Sequence, residues 1–422
     1  CDWSSDVCSS DLCVIRRVLF VFSYRLLKSV YGRVRSQVGE ARLVQGLRMA
    51  ESTDTTVDEK DEISSESSVG VDTDGFGESA ISEEVVLDVK NLQTQFTTRW
   101  GTVKAVDGVT YHVKRGETLG IVGESGSGKS VTALSLMRLV PSPPGQIVGG
   151  EVILGGRDLL ELSENEMTEV RGGEISIILQ DPMQALNPVF NIANQVGEAI
   201  KIHQKLKGNA LWDKVVDSLR KVRIPAPESR ANDYPHQLSG GMRQRVVGAI
   251  GISSAPAVII ADEPTTSLDV TIQAAYLRLL RQIQQEEGVG IIFITHDFGI
   301  VAKMCDRVAV MYAGRIVEVA DVRTIFNTPL HEYTKALIGS VPKLEEKTGR
   351  LPQIEGQPPL LYNLPPGDAF APRSTLEFEP EDAERRPPLI EVEENHWVQL
   401  SRSSVADYDK YAHMMPTTEE NG

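Results

Sequence analysis

The chain has 422 residues, 41% hydrophobic and 24% charged, which is enough apolar material for a sizeable buried core. Its net charge of −16 sits at the ends: residues 51–85 carry −11 and 376–422 carry −8, whereas the first fifty carry +4 and 86–375 about −1. A near-neutral body between acidic, solvated tails lacks the basic stripe that nucleic acid needs, so no nucleic-acid partner is expected.

Cys1, Cys8, Cys13 and Cys305 are the only cysteines, and just one lies in the body. That excludes a disulfide framework or a cysteine metal site there and points to a reducing, cytosolic compartment. No apolar run approaches the roughly 20 residues of a membrane-spanning helix. The opening "CDWSSDVCSSDL" reads as translated adapter sequence, which makes residues 1–48 an expected artefact and Met49 the expected start. A basic amphipathic surface segment at 14–35 is the alternative. Residues 50–85 are dominated by Ser, Thr, Asp and Glu and read as disordered, so 1–85 is set apart from the globular body.

From Val86 the texture changes. "VVLDVKNLQTQF" alternates like a strand, and "YHVKRGETLGIVGESGSGKSVTALSLMRLV" reads as strand, Gly-rich turn and helix, with Pro141, Pro143, Pro144 and Gly145 expected to stop that helix. The short apolar runs "AVIIAD" (257–262) and "GIIFIT" (290–295) suit central strands covered on both faces. In such a sheet, ligands collect beyond the carboxyl ends of the strands. Residues 183–256 read as a largely helical insert within an α/β domain spanning 86–325. Beyond about 325 the Pro-rich segments predict an extension, 326–422, with little regular structure and an acidic tail.

"GESGSGKS" comprises Gly123, Glu124, Ser125, Gly126, Ser127, Gly128, Lys129 and Ser130 and matches a phosphate-binding loop. Its setting between strand and helix supports the match: backbone amides and the helix N-terminus face the phosphates. Lys129 would reach the β- and γ-phosphates, and Ser130 would hold Mg²⁺. Asp262 and Glu263 end the apolar strand, where one acid can serve the Mg²⁺ shell and the next can orient and deprotonate a water. Taken alone, an Asp-Glu pair is usually a solvated turn; beside this loop and before "PTTSLD" it favours catalysis. Gln180 in "IILQDP" and His296 in "FITHD" follow other apolar runs, and each acquires meaning only in that company. A second glycine turn, "LSGGMRQR" (238–245), begins another helix: Ser239 can cap it, while Gly240 and Gly241 allow close backbone approach.

In this order the motifs resemble those of the ATP-binding subunit of an ABC transporter. They are Walker A at 123–130, the Q-loop at Gln180, the signature "LSGGMRQR", Walker B "VIIADE", the D-loop "SLD" with Asp269, and the switch His296. The resemblance implies a P-loop NTPase fold of the ABC type with a helical subdomain, and ATP with Mg²⁺ as ligands. It makes Glu263 the general base, places Gln180 on Mg²⁺ and the water with Asp262 nearby, and has His296 brace the γ-phosphate. Ser239, Gly240 and Gly241 then complete the site of a partner ATPase subunit, and Trp100 in "RWGTVKAV" is placed to stack on adenine.

"AVDGV", "QDPMQALNP", "YPHQLSGGMRQR", "PLHEYTKALIGSVPKL" and "LPPGDAFAPRS" resemble more narrowly the dipeptide/oligopeptide/nickel importer subfamily, over roughly 86–375. This implies two separate permease subunits, an extracytoplasmic solute-binding protein and a peripheral position on the cytoplasmic face of a prokaryotic membrane. Nickel or another small solute is the alternative cargo. A soluble ABC ATPase of translation or DNA repair and a catalytically dead nucleotide sensor are the readings from other classes. One departure stands out. Many relatives carry cysteines where this chain has Asp368 and Ser374, and no cysteine follows Cys305, so no iron–sulfur cluster is expected. The extension would then rely on apolar residues such as Leu361, Phe370 and Trp397.

Overall fold

The computed structural model of the protein describes residues 82–341 and 353–415, except 267 and 379. The expectations for residues 1–81, including the artefact, Met49 and all but the last four residues of the 50–85 segment expected to be disordered, therefore lie outside the described residues; the end of that segment needs correction, since Val85 already opens a strand. Four strands, β1 (Val85–Thr98), β2 (Gly101–Lys114), β4 (Gly145–Leu154) and β5 (Arg157–Asp158), form an antiparallel sheet in the order β2-β1-β4-β5. The larger sheet takes β3 (Thr118–Val122), β6 (Ile175–Ile178), β7 (Val258–Asp262), β8 (Gly290–Ile294), β9 (Arg307–Tyr312), β10 (Arg315–Asp321), β11 (Leu389–Glu393) and β12 (His396–Gln399). Its order is β11-β12-β10-β9-β3-β8-β7-β6.

The run β9-β3-β8-β7-β6 is parallel, so the chain leaves β3, β6, β7 and β8 at one edge. These strands are near-continuous apolar runs because both faces are covered. Ile259, Ala261, Ile291 and Phe293 pack on one side, in a core shared with Leu279, Leu280 and Val246. Val258, Ile260, Ile292 and Ile294 alternate to the other side and meet Val89, Val106 and Leu136. Between β6 and β7 the chain is helical, including α1 (Ile192–His203), α2 (Gly208–Lys221) and α3 (Gly240–Ile252). Val196, Ile200, Val215 and Leu219 join the first of these cores, so this region is packed continuously with the sheet.

Two further expectations need correction. The helix after the Gly-rich loop spans Lys129–Leu136 and ends before the prolines: Met137 caps it and Arg138 turns out at φ 50. More consequentially, the acidic C-terminal stretch is not simply a solvated tail. β12 pairs with β10 through Glu318↔Val398 and Val319↔Trp397, and β11 extends the sheet beyond it. Glu391, Glu393 and Glu394 face solvent while Val392, Val398 and Leu400 are buried with Val405 and Tyr411. Net charge summed over the stretch hides this two-faced pattern, because the charges occupy one face only. Asn395 at φ 59 makes the tight turn between the strands, a conformation Asn tolerates. Among the described residues no helix is long and apolar enough to cross a membrane.

Candidate functional site: a phosphate loop beside strand-end carboxylates

The parallel register brings together residues that lie far apart in sequence. Asp262 pairs with Ile294 and Ile178 with Ala261, so Gln180, Asp262–Glu263 and Thr295–His296 emerge side by side, next to the loop that leaves β3. In that loop Gly123 adopts φ 148, and a Cβ there would lie 2.1 Å from Met311 O. At Gly128, with φ 106, a Cβ would lie 2.3 Å from Ala105 O. Neither position can carry a side chain, so the loop is folded tightly enough to present its backbone inward. This is a cradle that fits the phosphates of ATP.

Lys129 opens the following helix and is buried; its Nζ donates to Gly123 O at 2.7 Å and to Glu124 O at 2.8 Å. Burial pushes its ammonium below the ordinary lysine range, and the carboxylates of Glu263, Asp262 and Glu124 oppose that shift. Ser130 Oγ donates to Asp262 Oδ1 at 3.1 Å. This pair of hard oxygen donors fits Mg²⁺, which takes one or two protein oxygens and completes its shell with water and phosphate.

Glu263 is the convergence point. Its backbone sits at φ 45, uncommon for a residue with a side chain, and its N–H is tied to Ile294 O at 2.9 Å. Gln180 Nε2 donates to Glu263 Oε2 at 2.6 Å, Thr266 Oγ1 donates to the same oxygen at 3.3 Å, and His296 Nδ1 lies 3.2 Å from Oε1. His296 itself is exposed. A carboxylate held by three side chains at a strand edge is suited to orienting a water and accepting its proton.

The other predicted residues are placed differently. Trp100 lies in the turn between β1 and β2, 55% exposed, with the Arg99 guanidinium 3.9 Å above its ring. Ser239 caps α3 by accepting from the Met242 N–H at 3.3 Å. A Cβ on Gly240 would meet nothing within 4 Å, whereas one on Gly241 would lie 2.7 Å from Ile272 Cγ2. Packing among the described residues therefore explains Gly241 and leaves Gly240 unexplained. Asp269 caps the helix Val270–Glu287, accepting from Ile272 N–H at 3.1 Å. Among the described residues no hydrogen bond or ion pair joins Ser239, Gly240 or Gly241 to Gly123–Ser130.

Sequence reasoning missed the contacts of the C-terminal extension with this site. Arg373 forms a two-pronged ion pair with Glu124, through Nη1–Oε2 at 2.9 Å and Nη2–Oε1 at 3.1 Å, and Tyr333 Oη accepts the Glu124 N–H at 2.9 Å. In the sequence the "APR" segment carries the family resemblance and lies between Asp368 and Ser374, but nothing local links Arg373 to Glu124. Of the flanking pair, Asp368 is buried and accepts from the hydroxyls of Ser401 and Ser404 and from Phe370 N–H at 2.8 Å. Ser374 Oγ accepts from Leu376 N–H at 3.1 Å. Phe370 is buried against Tyr312 and Tyr333, and Leu361 and Trp397 are partly buried against the two main cores.

Comparison with known proteins agrees with this geometry. Residues 106–266 match the ABC transporter family, and 317–379 match the oligopeptide/dipeptide transporter C-terminal region. The chain is 50% identical over 314 residues to the oligopeptide transport ATP-binding protein OppD of Bacillus subtilis (strain 168), covering 74% of this chain and 87% of that protein. It is also 50% identical over 290 residues to the dipeptide transport ATP-binding protein DppD of the same organism, covering 69% and 87%. Among solved structures it is similar to a dimeric post-hydrolysis state of the ATP-binding cassette MJ0796 bound to ADP and Pi. That likeness has a TM-score of 0.51 and 26% identity, and covers 56% of this chain and 98% of the other. The chain belongs to the ATP-binding proteins of ABC transporters, in the oligopeptide/dipeptide subfamily, and is an ABC ATPase coupled to transport.

Proposed function

We propose that this chain hydrolyses ATP to power the uptake of di- and oligopeptides, as one of two paired ATPase subunits acting on separate permeases. The observation that carries the ATPase reading is Glu263, held by Gln180, Thr266 and His296 beside a phosphate loop. The match over 317–379 and the relatives named for oligopeptide and dipeptide transport support peptide as cargo.

The Gly123–Ser130 loop and Lys129 bind the phosphates, Trp100 stacks on adenine, and Glu263 accepts a proton from water oriented by Gln180, with His296 bracing the terminal phosphate. Ser130, Asp262 and Gln180 would hold Mg²⁺, which when bound neutralises charge on the phosphate oxygens. Ser239, Gly240 and Gly241 act on the nucleotide of the partner ATPase, with Asp269 in the segment facing that subunit. The unobstructed Gly240 supports this arrangement. The subunit sits peripherally at the cytoplasmic face, and the permeases receive peptide from an extracytoplasmic binding protein. With no cysteine after Cys305, the extension is held by Asp368 and Phe370 and carries no iron–sulfur cluster; iron and acid-labile sulfide in the purified protein would contradict this.

Reconstitution tests the whole reading. The chain, its permeases and its solute-binding protein in proteoliposomes should show ATP hydrolysis stimulated by di- or oligopeptide, with peptide accumulating inside. Stimulation by nickel or a non-peptide solute and none by peptide would reject peptide as cargo.

A further inference from the structure

The extension reaches the phosphate loop through two buried side chains, Tyr333 and Arg373. Arg373 lies in the turn Ala371–Arg373, its side chain only 4% exposed, and clasps both carboxylate oxygens of Glu124, 249 residues earlier. Its Nη1 also donates to Tyr312 Oη at 3.2 Å, and its Nε donates to Glu355 O at 2.9 Å. Tyr312 ends β9 beside β3, and its ring packs against Tyr333 at 4.5 Å and Phe370 at 5.4 Å between centroids.

Glu124 is thereby fixed at three points. Its N–H is held by Tyr333, its carboxylate by Arg373, and its carbonyl by Lys129 Nζ. Two of these ties come from beyond residue 330, outside the 106–266 stretch that matches the ABC family. A bidentate guanidinium–carboxylate pair fixes orientation as well as charge, which a lysine cannot reproduce. The loop that must meet the phosphates is thus held by contacts within this chain that need no ligand, and ordering a binding loop in this way lowers the cost of binding.

We propose that Arg373 is a positioning residue for ATP: through Glu124 it pre-forms the first half of the phosphate loop, so that the C-terminal extension sets nucleotide affinity. The proposal rests on the reading of Gly123–Ser130 as the ATP site. Because the loop contacts phosphate in both ground and transition states, losing its support weakens both alike. KM rises while kcat is retained.

The test measures MgATP affinity by equilibrium titration and KM and kcat by steady-state hydrolysis, on the full chain, with melting temperature followed in parallel. Arg373→Met should raise Kd and KM roughly tenfold and leave kcat within about twofold. Leu400→Ala, which opens the separate apolar cluster of the β11–β12 hairpin with Val392, Val405 and Tyr411, should lower the melting temperature and leave KM at the wild-type value. Arg373→Met with wild-type KM overturns the proposal. So does a loss of activity in which KM and kcat both change and the same change appears in Leu400→Ala, since that would be general loss of structure. If Arg373→Met does not fold, Arg373→Lys decides: a raised KM supports the proposal and an unchanged KM rejects it. Lys129→Ala separates the two levels. If it too binds ATP normally, the reading of the loop fails; if it loses ATP while Arg373→Met and Arg373→Lys bind normally, only the role of Arg373 fails.

Discussion

Gln180 Nε2 meets Glu263 Oε2 at 2.6 Å although 83 residues of largely helical chain separate them. β6 and β7 are parallel neighbours, so the residues just beyond them come out at the same edge of the sheet. The bond turns one oxygen of Glu263 toward Gln180 and leaves the other beside His296. Glu263→Gln should therefore keep the fold and ATP binding, since an amide of the same shape can still meet both neighbours. Single-turnover hydrolysis should fall by roughly 10²–10⁴, the usual worth of a positioned general base. Hydrolysis at the wild-type rate would remove Glu263 from that role.

Gly240 and Gly241 should respond in opposite ways. The Cβ of Gly240→Asp would meet no atom of the described residues within 4 Å, so melting temperature and ATP binding by the single subunit should be unchanged while dimerisation with ATP and hydrolysis are lost. Gly241→Ala forces a methyl against Ile272 and should cost about 1–3 kcal/mol of stability. Light scattering with ATP, and calorimetry without it, distinguish the two; full activity in Gly240→Asp would undo the paired-site reading.

Trp100 is exposed in a turn, so its removal should have little effect on folding. If it stacks on adenine, Trp100→Ala should weaken ATP binding by roughly 1–3 kcal/mol, and Trp100→Phe should restore much of it. Equal affinity for ATP in all three proteins would place the adenine elsewhere.

His331 supplies a pH dependence. Its Nδ1 accepts the Tyr333 N–H at 3.1 Å at the start of the helix Glu332–Gly339, and its ring is fully buried. Burial holds its pKa below the ordinary 6.5, while the carboxylates of Asp368, Glu318 and Glu332 oppose this and Lys335 adds to it. The folded state thus favours neutral imidazole, and the unfolded chain takes up the proton first as pH falls. Stability present above 6.5 is lost as pH drops below that value toward the depressed folded one. His331→Asn keeps a capping oxygen and removes the titration. Melting temperature between about pH 7.5 and pH 5.5 should fall less steeply in the variant, whatever its absolute stability. Parallel slopes would assign the acid sensitivity to other groups, such as His112 and His203, whose pKa values burial also lowers.

The sequence by itself determined the strands and which polar residues stand at their ends. "LGIV", "VIIAD" and "GIIFI" are apolar throughout because both faces of the sheet are covered, and that pattern is visible without a partner strand. Gly123, Lys129 and Ser130 were legible as one turn-and-helix unit because they are continuous in the chain, their placement fixed by the local turn and helix start. The hairpin β11–β12 was not legible: its acidic face dominates the composition, and its apolar face is short.

Only the tertiary structure decided which distant residues meet. The hydrogen bond between Gln180 and Glu263 depends on which strands are neighbours, and the clasp of Arg373 on Glu124 depends on where the extension folds back. Neither leaves a periodic or local trace, because a side-chain contact across 249 residues imposes no spacing on either segment. Gly240 shows the same division. Its place in a capped glycine turn can be read from the chain, but only the packing around it reveals that a Cβ there would meet no atom of the described residues within 4 Å.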